Sequence, residues 1–304
     1  MRHNRLIVCL SCILAAACIV LAFTLFSIRE RSNRLPDSSI DDIISILAAD
    51  DIYIDREIIS NRIENGRVYV CDPREYNISA AESLGGEKVF ASYVVPGGEI
   101  VVLTSGARFE FYENFEFRYS LDEEKKNLLE SFNLSDANQI LNLGAVSHIG
   151  DIVRDFLERG SKKNDTSTNN DIVTNVNGVW ELEGKHYALC SRTIGGIPIS
   201  GNTMLCLVEG GVVTQAAGTW SFLTVGESYS AQLADHLNIL FNVKKEITGL
   251  ERDGDVVVKS IEPCYTVYQI DDYFCLIPCW QVETDSYAKF IFNAINGALV
   301  TKKR

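Results

Sequence analysis

Residues 255–300 have the sequence DVVVKSIEPCYTVYQIDDYFCLIPCWQVETDSYAKFIFNAINGALV, in which runs of β-branched and aromatic residues alternate with short polar breaks. Such runs predict strands, and the polar breaks between them predict turns. The breaks are Asp271 and Asp272, Asp285 and Ser286, and Asn296 and Gly297. The end of the chain is therefore expected to consist of successive antiparallel strands.

Strand patterns also occur upstream. Pro96-Gly97-Gly98 and Gly210-Gly211 each separate two apolar runs, which predicts a hairpin at each position, and Gly184 predicts a turn between two strands. Between residues 107 and 120, aromatic and charged residues alternate, which predicts a half-buried strand or hairpin with an aromatic face. The aromatic positions are Phe109, Phe111, Phe115, Phe117 and Tyr119, and the charged ones are Glu110, Glu116 and Arg118.

A few helices interrupt these strands. Apolar residues at helical spacing predict helices over 40–47, capped by Ser39, over 149–157, and after Ser230. A capping box at 120–123 and a cap at Ser135 predict two more. Strand runs broken by a few helices indicate an α+β fold of antiparallel sheets with a few packed helices, preceded here by one N-terminal transmembrane helix.

That transmembrane helix is predicted over residues 6–28, LIVCLSCILAAACIVLAFTLFSI, which contain no charged residue. At about 1.5 Å per residue, the run reaches about 35 Å, enough for a hydrocarbon core of about 30 Å. It is longer than the apolar part of a signal peptide and ends without a small-residue cleavage site. An uncleaved anchor is favoured over a signal peptide or a lipoprotein processed at Cys18.

Ser11, Ala15, Cys18 and Ala22 lie at spacings of four, three and four, so a helix would place them on one face. Small residues on one face let another membrane helix approach closely. In a segment this rich in alanine and cysteine, such a stripe also arises by chance. A helix-packing face therefore stands as a hypothesis.

Charge and length suggest how the chain is organised. Arginines flank both ends of 6–28, so the positive-inside rule is nearly balanced, but a long C-terminal body translocates largely regardless of charge. We expect a single-pass protein of the cell membrane with a cytoplasmic N-terminus and an extracytoplasmic body. The predicted divisions are a head at 1–5, the span at 6–28, a juxtamembrane linker at 29–38, an N-terminal α+β subdomain at 39–160, a polar linker at 161–171 and a C-terminal α+β subdomain at 172–304.

The body is strongly acidic. The whole chain has a net charge of −13, and removing the basic first 34 residues leaves a net −17 for 35–304. Nucleic acid and anionic surfaces repel such a body. A nucleic-acid partner is therefore not expected.

Familiar catalytic motifs do not occur in the sequence. His3, His148, His186 and His236 form no metal-binding pair at helical spacing, and the chain has no nucleophile elbow, P-loop or dinucleotide-binding glycine motif. No catalytic, cofactor-binding or metal-ligating residue is predicted, and no cofactor. An anchored hydrolase remains an alternative, because a triad assembled in space around His186 or His236 leaves no local signature.

Six cysteines lie in the body, outside the predicted span. Cys190 and Cys206 flank a predicted strand crossing, whereas Cys275 and Cys279 lie too far apart along one strand to bond. Buried thiols are expected, with a disulfide as the alternative. The six are Cys71, Cys190, Cys206, Cys264, Cys275 and Cys279.

One stretch runs from Gly196-Ile197-Pro198 through TMLCLVEGGVVTQAAGTW, 203–220, and another joins PCWQVETD, 278–285, to KFIFNAINGALV, 289–300. These two stretches resemble the YycH/YycI family of two-component-system regulatory proteins. The closing hairpin is also similar to PepSY-like extracytoplasmic domains. Trp220, Trp280 and Asn293 match the pattern as structural residues, whereas the cysteine content and residues 64–170 depart from it.

This resemblance implies a non-enzymatic accessory membrane protein. Such a protein modulates a sensor histidine kinase through its transmembrane helix and outer domain, together with a second accessory membrane protein in some systems. It implies no catalytic residues. The PepSY-like part suggests an alternative, an extracytoplasmic peptidase inhibitor or chaperone.

Overall fold

The computed structural model describes residues 21, 34–62, 65–71, 76–122, 129, 132–160, 172–223, 225–249, 254–270, 273–285 and 289–303. These residues form four α-helices and sixteen strands. The helices are α1 (Asp37–Ala48), α2 (Tyr76–Gly85), α3 (Leu143–Arg159) and α4 (His236–Thr248). The strands are β1 (Ile52–Ile54), β2 (Asn65–Cys71), β3 (Val89–Val95), β4 (Gly98–Leu103), β5 (Arg108–Tyr112), β6 (Glu116–Ser120), β7 (Asn138–Gln139), β8 (Ile172–Leu182), β9 (Lys185–Ile194), β10 (Ile197–Glu209), β11 (Val212–Thr219), β12 (Val225–Gln232), β13 (Val256–Ile270), β14 (Tyr273–Thr284), β15 (Lys289–Asn293) and β16 (Leu299–Lys303).

The hairpins predicted from turn residues are confirmed. The strand pairs β3–β4, β8–β9 and β10–β11 are antiparallel and join at the expected glycines. Gly97, Gly184 and Gly211 all have positive φ, a conformation that costs glycine little. The aromatic hairpin is β5–β6, in which Phe109 lies opposite Tyr119.

Two helix boundaries differ from those predicted. Helix α1 begins at Asp37 with Pro36, not Ser39, at its N-cap, since proline's fixed φ suits a helix start. Helix α3, predicted over 149–157, begins earlier, at Leu143, because the side chain of Asn142 accepts hydrogen bonds from Gly144 and Ala145 N–H. The separate short helix predicted after Ser135 is wrong, since that residue lies in a 3₁₀ turn, Leu134–Asp136, followed by β7. The helix predicted from the 120–123 capping box falls mostly outside the described residues.

The chain divides into two compact units, each discontinuous in sequence. Unit 1 contains residues 1–66, 231–262 and 280–304, and unit 2 contains 67–230 and 263–279. The predicted polar linker, 161–171, lies outside the described residues.

Unit 2 is built on an antiparallel sheet in the order β7-β8-β9-β10-β11-β6-β5-β4-β3. One face of this sheet packs against α2 and α3 and forms a continuous apolar core. Phe109, Phe117, Trp220 and Phe222 are among its largest buried side chains. The opposite face of β5, β6 and β11 has the charged side chains of the aromatic hairpin, because successive residues of a strand point to opposite faces.

Unit 1 has a separate core. Helices α1 and α4 contact each other, and their apolar residues join a cluster with β1 and with residues of β13 to β15. Ile43, Leu47, Val243, Phe290 and Phe292 are fully or almost fully buried in this cluster. Four strands, β1, β13, β14 and β15, therefore supply the surface on which the two helices pack.

The predicted fold class is wrong in two respects. The strand pairing is mixed rather than antiparallel, because β13 pairs in parallel with β1 at Ile52–Val256 and with β10 at Ile199–Tyr265. Strand periodicity specifies which face is buried, but the direction of a distant partner leaves no local signature.

The second correction concerns the N-terminal transmembrane helix included in that fold class. Within the part of the chain that the structure describes, no helix has the length and apolar character needed to cross a membrane. Residues 6–28, where the span was predicted, lie outside the described residues except for Leu21.

Candidate functional site

The residues of the hypothesised helix-packing face are not placed by the structure. Ser11, Ala15, Cys18 and Ala22 all lie outside the described residues. The candidate surfaces below are therefore taken from the described residues alone.

The two histidines named for a hydrolase lie in different structural settings. His186 is in β9, opposite Glu181 of β8 and Val208 of β10. His236 is the first residue of α4 and is 4% exposed. Among the described residues, no group of three or more histidine, cysteine, aspartate or glutamate side chains is arranged to hold a metal ion.

His236 is held as a neutral ring inside unit 1. Its Nδ1 accepts a hydrogen bond from Ser60 N–H at 2.9 Å, and its ring lies edge-on to Trp280 at 4.6 Å between centroids. Trp280 Nε1 in turn donates to the carbonyl of Ala234 at 3.0 Å. Burial lowers the pKa of His236 to about 4, although the charge of Asp235 opposes the shift. This geometry fits a structural role.

All six body cysteines are buried, as expected. Cys190 and Cys206 lie on the adjacent strands β9 and β10, which confirms that the two flank one crossing. Burial raises the pKa of the Cys206 thiol, and the neighbouring Cys190 adds to the effect. A protonated thiol is a poor nucleophile and a poor metal ligand.

An unusually apolar edge lies at β3. The strand pairs with β4 on one side and ends the sheet order, so no strand among the described residues covers its other side. Phe90 is 76% exposed and Val94 is 89% exposed, and Tyr93 is also exposed. The sequence VFASYVV contains neither charge nor proline, the features that commonly protect an edge strand from pairing. We call this surface the β3 edge.

A cavity of about 410 Å³ lies on the charged face of unit 2's sheet. Strands β5, β6, β10 and β11 form its floor, and Leu129 also contributes to its lining. Beyond β6, the ring of Phe132 stacks on that of Tyr187 of β9, with 4.1 Å between the ring centroids. We call this space the sheet cavity.

The charges of the sheet cavity are matched by opposite charges. Glu110 is 5% exposed; its carboxylate accepts from Arg108 Nε at 2.9 Å and from the Tyr112 hydroxyl at 3.0 Å. Glu116 accepts from Arg118 Nε at 3.1 Å. Burial, together with the hydrogen bond to Glu110, raises the pKa of Tyr112, which keeps the phenol protonated as a donor.

Unlike these paired charged residues, Gln215 of β11 has a side chain without a hydrogen-bond partner in the described structure. It lies opposite Ser120 of β6, is 1% exposed and lines the cavity. Neither its amide oxygen nor its amide nitrogen has a hydrogen-bond partner among the described residues. Buried polar groups are nearly always paired, so an amide with both ends open marks a place where a ligand could pair with it.

Sequence reasoning did not identify the residues of the sheet cavity. The alternation that places Glu110, Glu116 and Arg118 on one face predicts only a half-buried strand or hairpin. The only local signal for Gln215 is one amide inside the apolar strand VVTQAAGT. The cavity on the charged face of the sheet forms only when β5, β6, β10 and β11 are brought together, so no single segment predicts it.

Comparisons with known proteins identify no family. No protein-family model and no curated protein matches the chain. Among solved structures, the chain is similar to a protein of Eubacterium rectale whose crystal structure is described as that of an uncharacterized protein. The likeness has a TM-score of 0.45 and 10% sequence identity, and it covers 83% of this chain and 91% of the other.

Proposed function

We propose that this chain is a non-enzymatic regulator that acts by binding another protein, and that the β3 edge is its contact surface. The observation that carries the proposal is the run of exposed apolar side chains along a strand whose outer side is uncovered in the described structure. Such an edge binds an extended segment of a partner by adding a strand to the sheet.

The net charge of the body indicates what kind of partner can bind. The body has a net charge of −17, so a second copy of this chain is repelled at long range and a basic partner is attracted. The partner segment is therefore an extended, apolar stretch flanked by lysine or arginine. The YycH/YycI resemblance makes a sensor histidine kinase the partner to test first.

Crosslinking in living cells tests the contact. In the full-length chain, a photoreactive phenylalanine analogue replaces Phe90, and in a control chain it replaces Tyr229, an exposed aromatic residue on β12. We expect position 90, but not position 229, to crosslink to a sensor histidine kinase identified by mass spectrometry. A crosslink to a secreted peptidase would instead favour the inhibitor alternative, and equal crosslinking at both positions would exclude the β3 edge.

A charge placed on the edge tests its effect on signalling. Val94→Lys should move the output of the kinase's reporter in the same direction as deletion of this protein. The side chain is 89% exposed, so stability should change by less than about 0.5 kcal/mol. Val212→Lys, at another exposed strand valine, is the matched control and should leave the reporter unchanged. Wild-type output from Val94→Lys would contradict the proposal.

A further inference from the structure

We propose that the sheet cavity binds a small neutral molecule that contains an amide, such as a short peptide, and that Gln215 recognises the amide group. The two open atoms of the buried Gln215 side chain carry this inference. Binding here is independent of the protein contact at the β3 edge, which involves a different strand.

The donors and acceptor of a carboxamide determine which ligand group can pair with it. A glutamine side chain has one carbonyl acceptor and an NH₂ group with two donors. A peptide unit or a primary amide presents a donor and an acceptor and can pair with both ends at once. A buried amide left unpaired is costly to the folded protein, so a ligand that pairs it recovers that cost on binding.

The cavity wall disfavours a strongly charged ligand. Its four ionic side chains are two arginines and two glutamates, and each arginine is within hydrogen-bond distance of a glutamate. The described residues of the wall therefore have no net charge, whereas a phosphate or polycarboxylate site needs an excess of cationic donors. A neutral ligand leaves both ion pairs intact.

The rest of the lining suits an apolar substituent. Leu129, Leu205 and Ala217 border the same space as Gln215. In the register of the sheet, Ala217 lies opposite Arg118 on one side and Leu205 on the other. The volume of about 410 Å³ lies within the roughly 300–1,000 Å³ range of small-molecule sites. An amide with a small aliphatic side chain matches both features.

Calorimetric titration of the purified full-length chain with N-acetyl-L-leucinamide tests the site. Wild-type protein should bind this neutral diamide more tightly than N-acetyl-L-leucine or inorganic phosphate. Gln215→Leu, which keeps the approximate size but removes the amide, should weaken binding about tenfold or more through the loss of two hydrogen bonds. Gln281→Leu is the matched control, because Gln281 is on β14 in unit 1 and bonds to Glu283; it should bind as wild type.

A second variant tests whether binding needs the space of the sheet cavity as well as the Gln215 amide. Ala217→Leu keeps Gln215 but fills the cavity and should also abolish binding. Absence of binding to wild-type protein, equal binding by Gln215→Leu, or tighter binding of phosphate would each overturn the proposal. Kinase crosslinking from position 90 would be unaffected by any of these outcomes.

Discussion

Phe109→Ala is expected to lower the free energy of unfolding by about 3–5 kcal/mol, the usual cost of removing a fully buried phenylalanine. Phe109 is 0% exposed, and its ring lies 4.8 Å from Tyr119 and 6.3 Å from Phe111 and Phe117, measured between centroids. The truncation therefore opens a cavity where several aromatic rings meet. Urea unfolding of the full-length chain, followed by tryptophan fluorescence and circular dichroism, measures the loss.

Phe90→Ala provides the matched control for this experiment. It removes the same side chain from a position that is 76% exposed, so the change in unfolding free energy should stay within about 0.5 kcal/mol. A similar loss from both substitutions would show that Phe109 does not occupy the core of unit 2. The two variants also distinguish a phenylalanine of the core, Phe109, from an exposed one on the β3 edge, Phe90.

Acidification should destabilise unit 1 through His236. The folded pKa is about 4, whereas an exposed histidine has a pKa of about 6.5, so the unfolded chain takes up a proton that the folded chain excludes. The stabilising contribution is present above pH 6.5 and is lost as the pH falls towards 4. Between pH 6.5 and 4, this difference in proton binding lowers the free energy of unfolding by about 2–3 kcal/mol.

The contribution of His236 can be separated from that of the many carboxylates by comparing variants. The unfolding free energy of His236→Gln should lose less between pH 6.5 and 4 than that of wild type, because glutamine does not titrate. His148→Gln, at an exposed helix residue, should follow the wild-type curve. Parallel curves for wild type and His236→Gln would mean that the histidine is not buried in a neutral form.

Local features were predicted well where one short segment determines them. The turns at Gly97, Gly184 and Gly211 follow from backbone conformations that only glycine adopts readily. The alternating residues of β5 and β6 correctly indicated an aromatic core face, because a strand's period of two is a property of its own backbone. Helix α3 was likewise correctly predicted over 149–157, although it begins earlier, at Leu143.

Features that depend on distant segments could not be predicted in this way. The parallel pairing of Ile52 with Val256 joins residues far apart in sequence, and nothing in the neighbourhood of either residue specifies the other. The same applies to Gln215, whose burial depends on neighbours from other strands. The short helix predicted after Ser135 was also wrong, because Ser135 lies in a 3₁₀ turn and the next α-helix begins only at Leu143, capped by Asn142.

The discontinuous build of unit 1 has a consequence for synthesis on the ribosome. Ile43 and Leu47 of α1 are synthesised long before Phe290 and Phe292, which belong to the same cluster. Because these residues are far apart in sequence, their contacts form slowly and only after Phe290 has been synthesised. The apolar stripe of α1 therefore lacks these two partners while the residues between them are being synthesised.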